Sequence, residues 1–317
     1  MKIRIAVHAS HRAMEHYVYS LLPDITFLRS GPDGKMHLRD LPSNCQNLGS
    51  REKVIAACPD MAIARSAAAF EWYREHDLPT LWYLSGPPQP GQIERRRPYL
   101  KECQVLLAYS KEHAEQWSDP EFPEVHVCRY PIDTNVFKGY TGHIAKALMI
   151  ATMKMSWWGN VPGDWKGTSF FKHLLDEGLP YQLIGFNNDE DGLWLDDTNP
   201  YPINDEGTMV ECLAAHRVYG HSGTFLCRSP LEAMAVGAPV VIRQTNVSHY
   251  FEELPHGCGV WRAETESDFV ETIADFLAHP DEIKEFGMLG RQAISEHFNY
   301  DLVRRQWMEA IEACLNG

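Results

Sequence analysis

No uninterrupted apolar stretch approaches the ~18 to 20 residues that a membrane-spanning helix needs. The opening MKIRIAVHAS reads as a strand, too short and too quickly polar for a signal peptide, so a cytoplasmic location is expected. Cys-x-x-Cys spacing is also missing: the eight cysteines, at 45, 58, 103, 128, 212, 227, 258 and 314, are scattered. Reduced and mostly buried thiols are expected, rather than a disulfide or zinc framework. Positive charge is in short supply, with 29 Lys and Arg against 43 Asp and Glu and a net charge of -14, which argues against a broad nucleic-acid-binding surface. No internal repeat or low-complexity segment is visible.

What is present is a globular composition, 44% hydrophobic and 23% charged, over 317 residues, a length that suits two domains of ordinary size. Apolar runs read as strands at Ile3–Val7, Asp60–Ala64, Thr80–Leu84, Val105–Ser110, Ala147–Ala151 and Tyr181–Phe186, with helical patterns between most of them. Residues 25–59 are irregular. A proline and an Asp-Thr turn near Pro131–Thr134 suit an exposed connection. This rhythm predicts an α/β protein with two doubly wound, Rossmann-like parallel sheets and boundaries at 1–140, 141–298 and 299–317.

The most informative stretch runs from His216 to Glu253. A strand-like run leads into a loop with Ser222, Gly223 and Thr224, then a helix through Arg228, Leu231, Glu232 and Met234. Gly237 ends the helix and Ala238–Ile242 reads as a buried strand. A carboxylate such as Glu232 can accept two hydrogen bonds from a vicinal diol, and a helix N-terminus favours phosphate.

This succession resembles the nucleotide-sugar site of GT-B glycosyltransferases of the GT4-like group. Segments around Ala108–Glu112, Cys128–Phe137, Lys166-Gly167 and the C-terminal Glu296–Trp307 are similar to further motifs of that group, so the resemblance covers most of 101–317. It implies two domains facing across a cleft: residues 1–140 on the acceptor side, 141–298 holding the donor, and a last helix, 299–317, packing back on the first domain. It further implies transfer of a sugar from a nucleotide donor, UDP-sugar above all, with retention, no permanently bound cofactor and no required metal.

Carried over residue by residue, the resemblance gives Glu232 the ribose hydroxyls and Lys166, Lys154 and Arg228 the diphosphate, with the amides of Ser222 and Gly223. Gly185 and Phe186 edge the nucleobase. Retaining members carry a second glutamate with seven residues between the pair, where this chain has Thr224. The resemblance makes Ser85 and Gly86, at the end of their strand, acceptor-side or catalytic-side cleft candidates, and His113, with His8 and His11, is a candidate base should the reaction invert. The first loop, glycine-rich in the family, here offers Ser10, His11 and Arg12 for acceptor contact.

The acceptor could be a glycan or a small molecule. Hydroxymethylated DNA is an alternative, because Arg95, Arg96, Arg97 and Lys101 place four cations within seven positions. Such runs are more often solvated helix faces. A sugar-nucleotide epimerase or a non-catalytic sugar-nucleotide-binding module would also fit this pattern of residues. The acidic stretch Asn187–Asp197 reads as a solvated loop rather than a metal site. The oligomeric state is not legible.

Overall fold

A computed structural model describes residues 3–8, 12–31, 41–84, 88, 90–151, 177–185, 206–221, 228–243 and 254–317. By packing, the chain forms two units, Met1–Pro131 with Tyr300–Gly317, and Ile132–Asn299. No helix among the described residues is long and apolar enough to cross a membrane.

The first unit is built from β1 (Arg4–His8), α1 (Arg12–Leu21), β2 (Thr26–Ser30), β3 (Cys45–Gly49), α2 (Arg51–Ala56), β4 (Met61–Ala64), α3 (Ala67–Arg74), β5 (Thr80–Tyr83), α4 (Gln92–Leu100), β6 (Val105–Ala108), α5 (Lys111–Trp117) and β7 (Val125–Val127). Its sheet runs β3-β2-β1-β4-β5-β6-β7, every pairing parallel. The interior strands β4, β5 and β6 are buried at every position, and so read as continuous apolar runs. Three strands hand over to helices through a serine cap. Ser50, Ser66 and Ser110 accept from the backbone N–H of Lys53, Ala69 and His113 at 3.4, 3.3 and 3.2 Å.

Residues 25–59, irregular by pattern, contain β2, β3 and α2. β3 is an edge strand, Cys-Gln-Asn-Leu-Gly, with no buried position, so neither alternation nor an apolar run marks it. β7 at the other edge, Val-His-Val with no buried position, is only three residues long and too short for its alternation to mark it.

The second unit contains β8 (Ile144–Ala151), β9 (Tyr181–Gly185), α6 (Glu206–Ala215), β10 (His216–His221), α7 (Arg228–Val236), β11 (Val240–Arg243), β12 (Val260–Ala263), α8 (Glu266–Ala278) and α9 (Pro280–His297). Its sheet, β12-β11-β10-β8-β9, is again wholly parallel. The last helix, α10 (Tyr300–Asn316), returns to the first unit. Its buried stripe of Val303, Trp307, Ala310, Ile311 and Cys314 follows helical spacing, and the helix packs on β5, β6 and β7. Trp307 stacks on Tyr83 at 6.0 Å, and the Arg129 N–H donates to Gln306 Oε1 at 3.1 Å.

Residues 132–140 are held in the second unit. The Ile132 N–H donates to the Phe298 carbonyl at 3.0 Å. Arg291 of α9 donates to the carbonyls of Phe137 at 2.7 Å and Thr134 at 2.9 Å, and to that of Ala235 in the last turn of α7. The seven cysteines among the described residues are free thiols. Burial pushes Cys103 and Cys314 up to about 12, which leaves them protonated and inert.

Gly237 ends α7 at φ +96°, a left-handed turn that favours glycine. A Cβ on Gly287 of α9 would collide with the Gly237 carbonyl oxygen. Gly287→Ala is therefore expected to cost about 1–3 kcal/mol, the usual range for overpacking. Urea unfolding reads this as a lower midpoint, and an unchanged midpoint would show that α9 can stand further from α7.

Candidate functional site

In the second unit the chain steps from β8 to β9 on one side and then to β10, β11 and β12 on the other. The order reverses between β8 and β10, and in open parallel sheets a crevice forms beyond the strand ends at such a point. Here those ends are Ala151 and His221, with Gly185 level with Ala151 on the neighbouring strand. α7 begins at the same edge, because it follows β10 directly in the chain. The Tyr219 hydroxyl on β10 donates to Ser229 Oγ at 3.1 Å, fixing the first turn of the helix to the strand.

Every residue of α7 from Pro230 to Val236 is buried, Glu232 included. A carboxylate that is 2% exposed needs a partner. Arg228, one turn earlier and 13% exposed, supplies it by donating from Nε to Glu232 Oε1 at 2.6 Å. The two residues expected to handle ribose and diphosphate therefore form one charge-assisted unit at the start of α7. Lys154, Lys166, Phe186, Ser222, Gly223 and Thr224, and the acidic stretch 187–197, lie outside the described residues. So do Ser10, His11, Ser85 and Gly86.

Arg12 is the first residue of α1. His113 sits in the first turn of α5, buried, its ring 5.6 Å from that of Tyr109. The basic run falls on α4 and is largely accounted for by its surroundings. Arg97 pairs with Asp119 and Glu121, both at 2.8 Å, and Lys101 with Glu121 at 2.6 Å. Arg96 lies over the rings of Trp82 and Trp117 at 5.9 and 5.8 Å, and burial lowers its pKa from the usual arginine value. Arg95 remains as an exposed cation. Among the described residues no group of three or more His, Cys, Asp or Glu could hold a metal ion.

Apart from His8, pattern reading passed over a polar and aromatic row at the corresponding edge of the first sheet. His8 ends β1 and Ser30 ends β2, with His8 Nδ1 and Ser30 Oγ 3.0 Å apart. Arg65 directly follows β4, Tyr83 ends β5, and Tyr109 directly follows β6. Tyr130 comes shortly after β7 and stacks on Tyr109 at 4.4 Å. The signal available was positional: each falls at or just beyond the C-terminal end of a strand, where a parallel fold gathers its functional loops.

These two units reproduce the GT-B fold. The structure superposes on HepE of Anabaena in complex with UDP and glucose with a TM-score of 0.76 at 13% identity, covering 98% of this chain and 100% of that one. The sucrose-phosphate synthase of Thermosynechococcus elongatus gives 0.74 at 12% identity, covering 98% of each chain. A UDP-forming α,α-trehalose-phosphate synthase of Burkholderia xenovorans gives 0.63 at 13% identity, covering 98% and 99%. No curated protein matches at the level of sequence. Residues 157–309 match the family described as Glycosyl transferase-like. That match covers just under half of the chain, and the fold is the one that GT-B glycosyltransferases share.

Removing one member of a buried ion pair typically costs ~3–5 kcal/mol, whereas replacing both with apolar groups costs far less. Arg228→Met is thus expected to destabilise the protein more than the double variant Arg228→Met/Glu232→Leu. A double-mutant cycle by urea unfolding measures the coupling, and additivity of the two single changes would mean the pair is energetically idle.

Proposed function

We propose that the protein transfers a glycosyl group from a UDP-sugar, with retention, to a hydroxyl acceptor. The observation that carries the donor half is the buried Arg228–Glu232 unit at the head of α7, beside the reversal point of the second sheet. In this reading the Glu232 carboxylate accepts from the two ribose hydroxyls, and the Arg228 guanidinium faces the diphosphate. Both charges are held in place before the donor arrives, so little side-chain freedom is lost on binding. Uridine is supported by HepE, whose structures contain UDP, UDP with glucose, or UDP-glucose.

Chemically, the departing UDP gathers negative charge. Arg228, the N-terminal amides of α7, Lys166 and Lys154 are the groups assigned to stabilise it. Retention rests on the resemblance to GT4-like enzymes, and the anomeric configuration of the product, read by NMR, tests it directly. The α4 basic run gives no support to a DNA acceptor, since Arg97 and Lys101 already meet carboxylates and Arg96 is packed on two indoles. The acceptor class favoured is a non-polymeric hydroxyl compound or a glycan.

Calorimetric titration with UDP, GDP and ADP is expected to show binding, tightest for UDP. Glu232→Ala should weaken UDP by about 10- to 100-fold, the equivalent of ~1.5–3 kcal/mol for hydrogen bonds to a charged group. Absence of binding by all three nucleotides in the wild type would sink the donor assignment. With cationic side chains taking the charge-neutralising role, turnover is expected to survive EDTA. Loss of activity restored by Mg²⁺ or Mn²⁺ would instead bring the Asp189–Asp197 region into the site.

A further inference from the structure

The sheet of the first unit has its own reversal point. Strands β2 and β3 lie on one side of β1 and strands β4 to β7 on the other, so the order turns between β1 and β4. The register pairs Val7 with Ile63, which brings His8 level with Ala64 and sets Arg65 one step beyond it. His8 and Arg65 therefore flank the place where an open parallel sheet offers a crevice.

Arg65 differs from Arg74, Arg97 and Arg304 of the same unit, each of which pairs with a carboxylate. It is half-buried, and among the described residues it makes no ion pair. What holds it is a ring: its guanidinium carbon lies 5.2 Å from the centroid of Tyr83. Stacking on an aromatic face fixes a guanidinium while leaving its N–H edge directed outward in the plane. Tyr83 meets Tyr109 edge-on at 5.2 Å, and Tyr109 stacks on Tyr130. Tyr109 thus lies against both of the other rings. Burial, reinforced by the neighbouring phenols, raises Tyr83 and Tyr130 well above the ordinary tyrosine value, so both keep their protons as donors.

Chemically, this is a planar cation and a group of phenol donors at the end of four adjacent parallel strands. A neutral sugar needs acceptors as much as donors from its site, whereas a phosphate or carboxylate needs donors and positive charge. We propose that Arg65, with Tyr83, Tyr109 and Tyr130, recognises the anionic group of a phosphorylated or carboxylated polyhydroxy compound, and that this compound is the acceptor. The proposal deepens the glycosyl-transfer reading and rests on it only for the word acceptor. Binding itself is independent of the donor.

Calorimetry with glucose 6-phosphate, glucuronate and glucose tests the site, with UDP titrated in parallel. Glucose 6-phosphate or glucuronate is expected to bind at least ten times more tightly than glucose, and comparison of the two tells phosphate from carboxylate. Arg65→Gln should remove at least ten-fold of that affinity and leave UDP binding unchanged. Arg65→Lys, which keeps the charge and loses the fork, should restore part of it. Tyr130→Phe should cost a few-fold. Equal affinity for glucose and its charged derivatives, failure of both anions to bind, or indifference to Arg65→Gln would overturn the proposal. Failure of UDP alone would strike the donor assignment and leave this one standing.

Discussion

Parallel strands cannot be joined by a hairpin. Each connection must cross back over the sheet, so every strand-to-helix loop collects at one edge. Both sheets of this protein are parallel throughout, and both reverse their order once, at β1/β4 and at β8/β10. That single constraint explains where the chemistry lies. Ser30, His8, Arg65, Tyr83, Tyr109 and Tyr130 in the first unit, and Gly185, His221 and Arg228 in the second, are far apart in sequence. Each stands at or just beyond the C-terminal end of a strand, or at the start of the helix that follows it.

The position of Glu232 depends on residues to which no substrate contact is assigned. α7 has nine residues, below the ~12–15 at which an isolated helix becomes even marginal in water. Its existence is a matter of packing against α6, α9, β10 and β11. α9 comes close because Gly287 presents no side chain to the Gly237 carbonyl, and Arg291 of the same helix donates to the Ala235 carbonyl at the end of α7. The same arginine holds the carbonyls of Thr134 and Phe137. The segment that leaves the first unit and the helix that carries the candidate site thus share one hydrogen-bonding residue.

Much of this was legible. Buried parallel strands announce themselves as apolar runs, which is why β4, β5, β6, β8, β9 and β11 could be placed within a residue or a few. Gly237 marked the end of α7, and Glu232 stood out as an acid inside an apolar helix. Edge strand β3 was not legible, because half-exposed backbone needs no apolar side chains to form a ladder, and β7 is too short for its alternation to mark it. The union of Arg228 with Glu232 was also missed as a pair, although i, i+4 spacing with opposite charges is its ordinary signature. Sequence pattern assigns each of them a ligand of its own. A buried carboxylate changes that reasoning, since in a dry helix it must meet a cation before any ligand arrives.

Arginine gives the sharpest contrast between density and position. The run Arg95–Arg96–Arg97 draws the eye because like charges are adjacent, yet adjacency is unfavourable unless something nearby offsets it. Here Asp119, Glu121, Trp82 and Trp117 do so, and their presence is what lets α4 form with its cations in place. Arg65 is alone in sequence and easily passed over. It follows a strand of four buried residues, at the level where the sheet ends and its order reverses, and it is stacked on an aromatic ring rather than answered by a carboxylate. A charge that the fold neutralises is part of the scaffold. A charge that the fold orients without neutralising is the one with a partner still to meet.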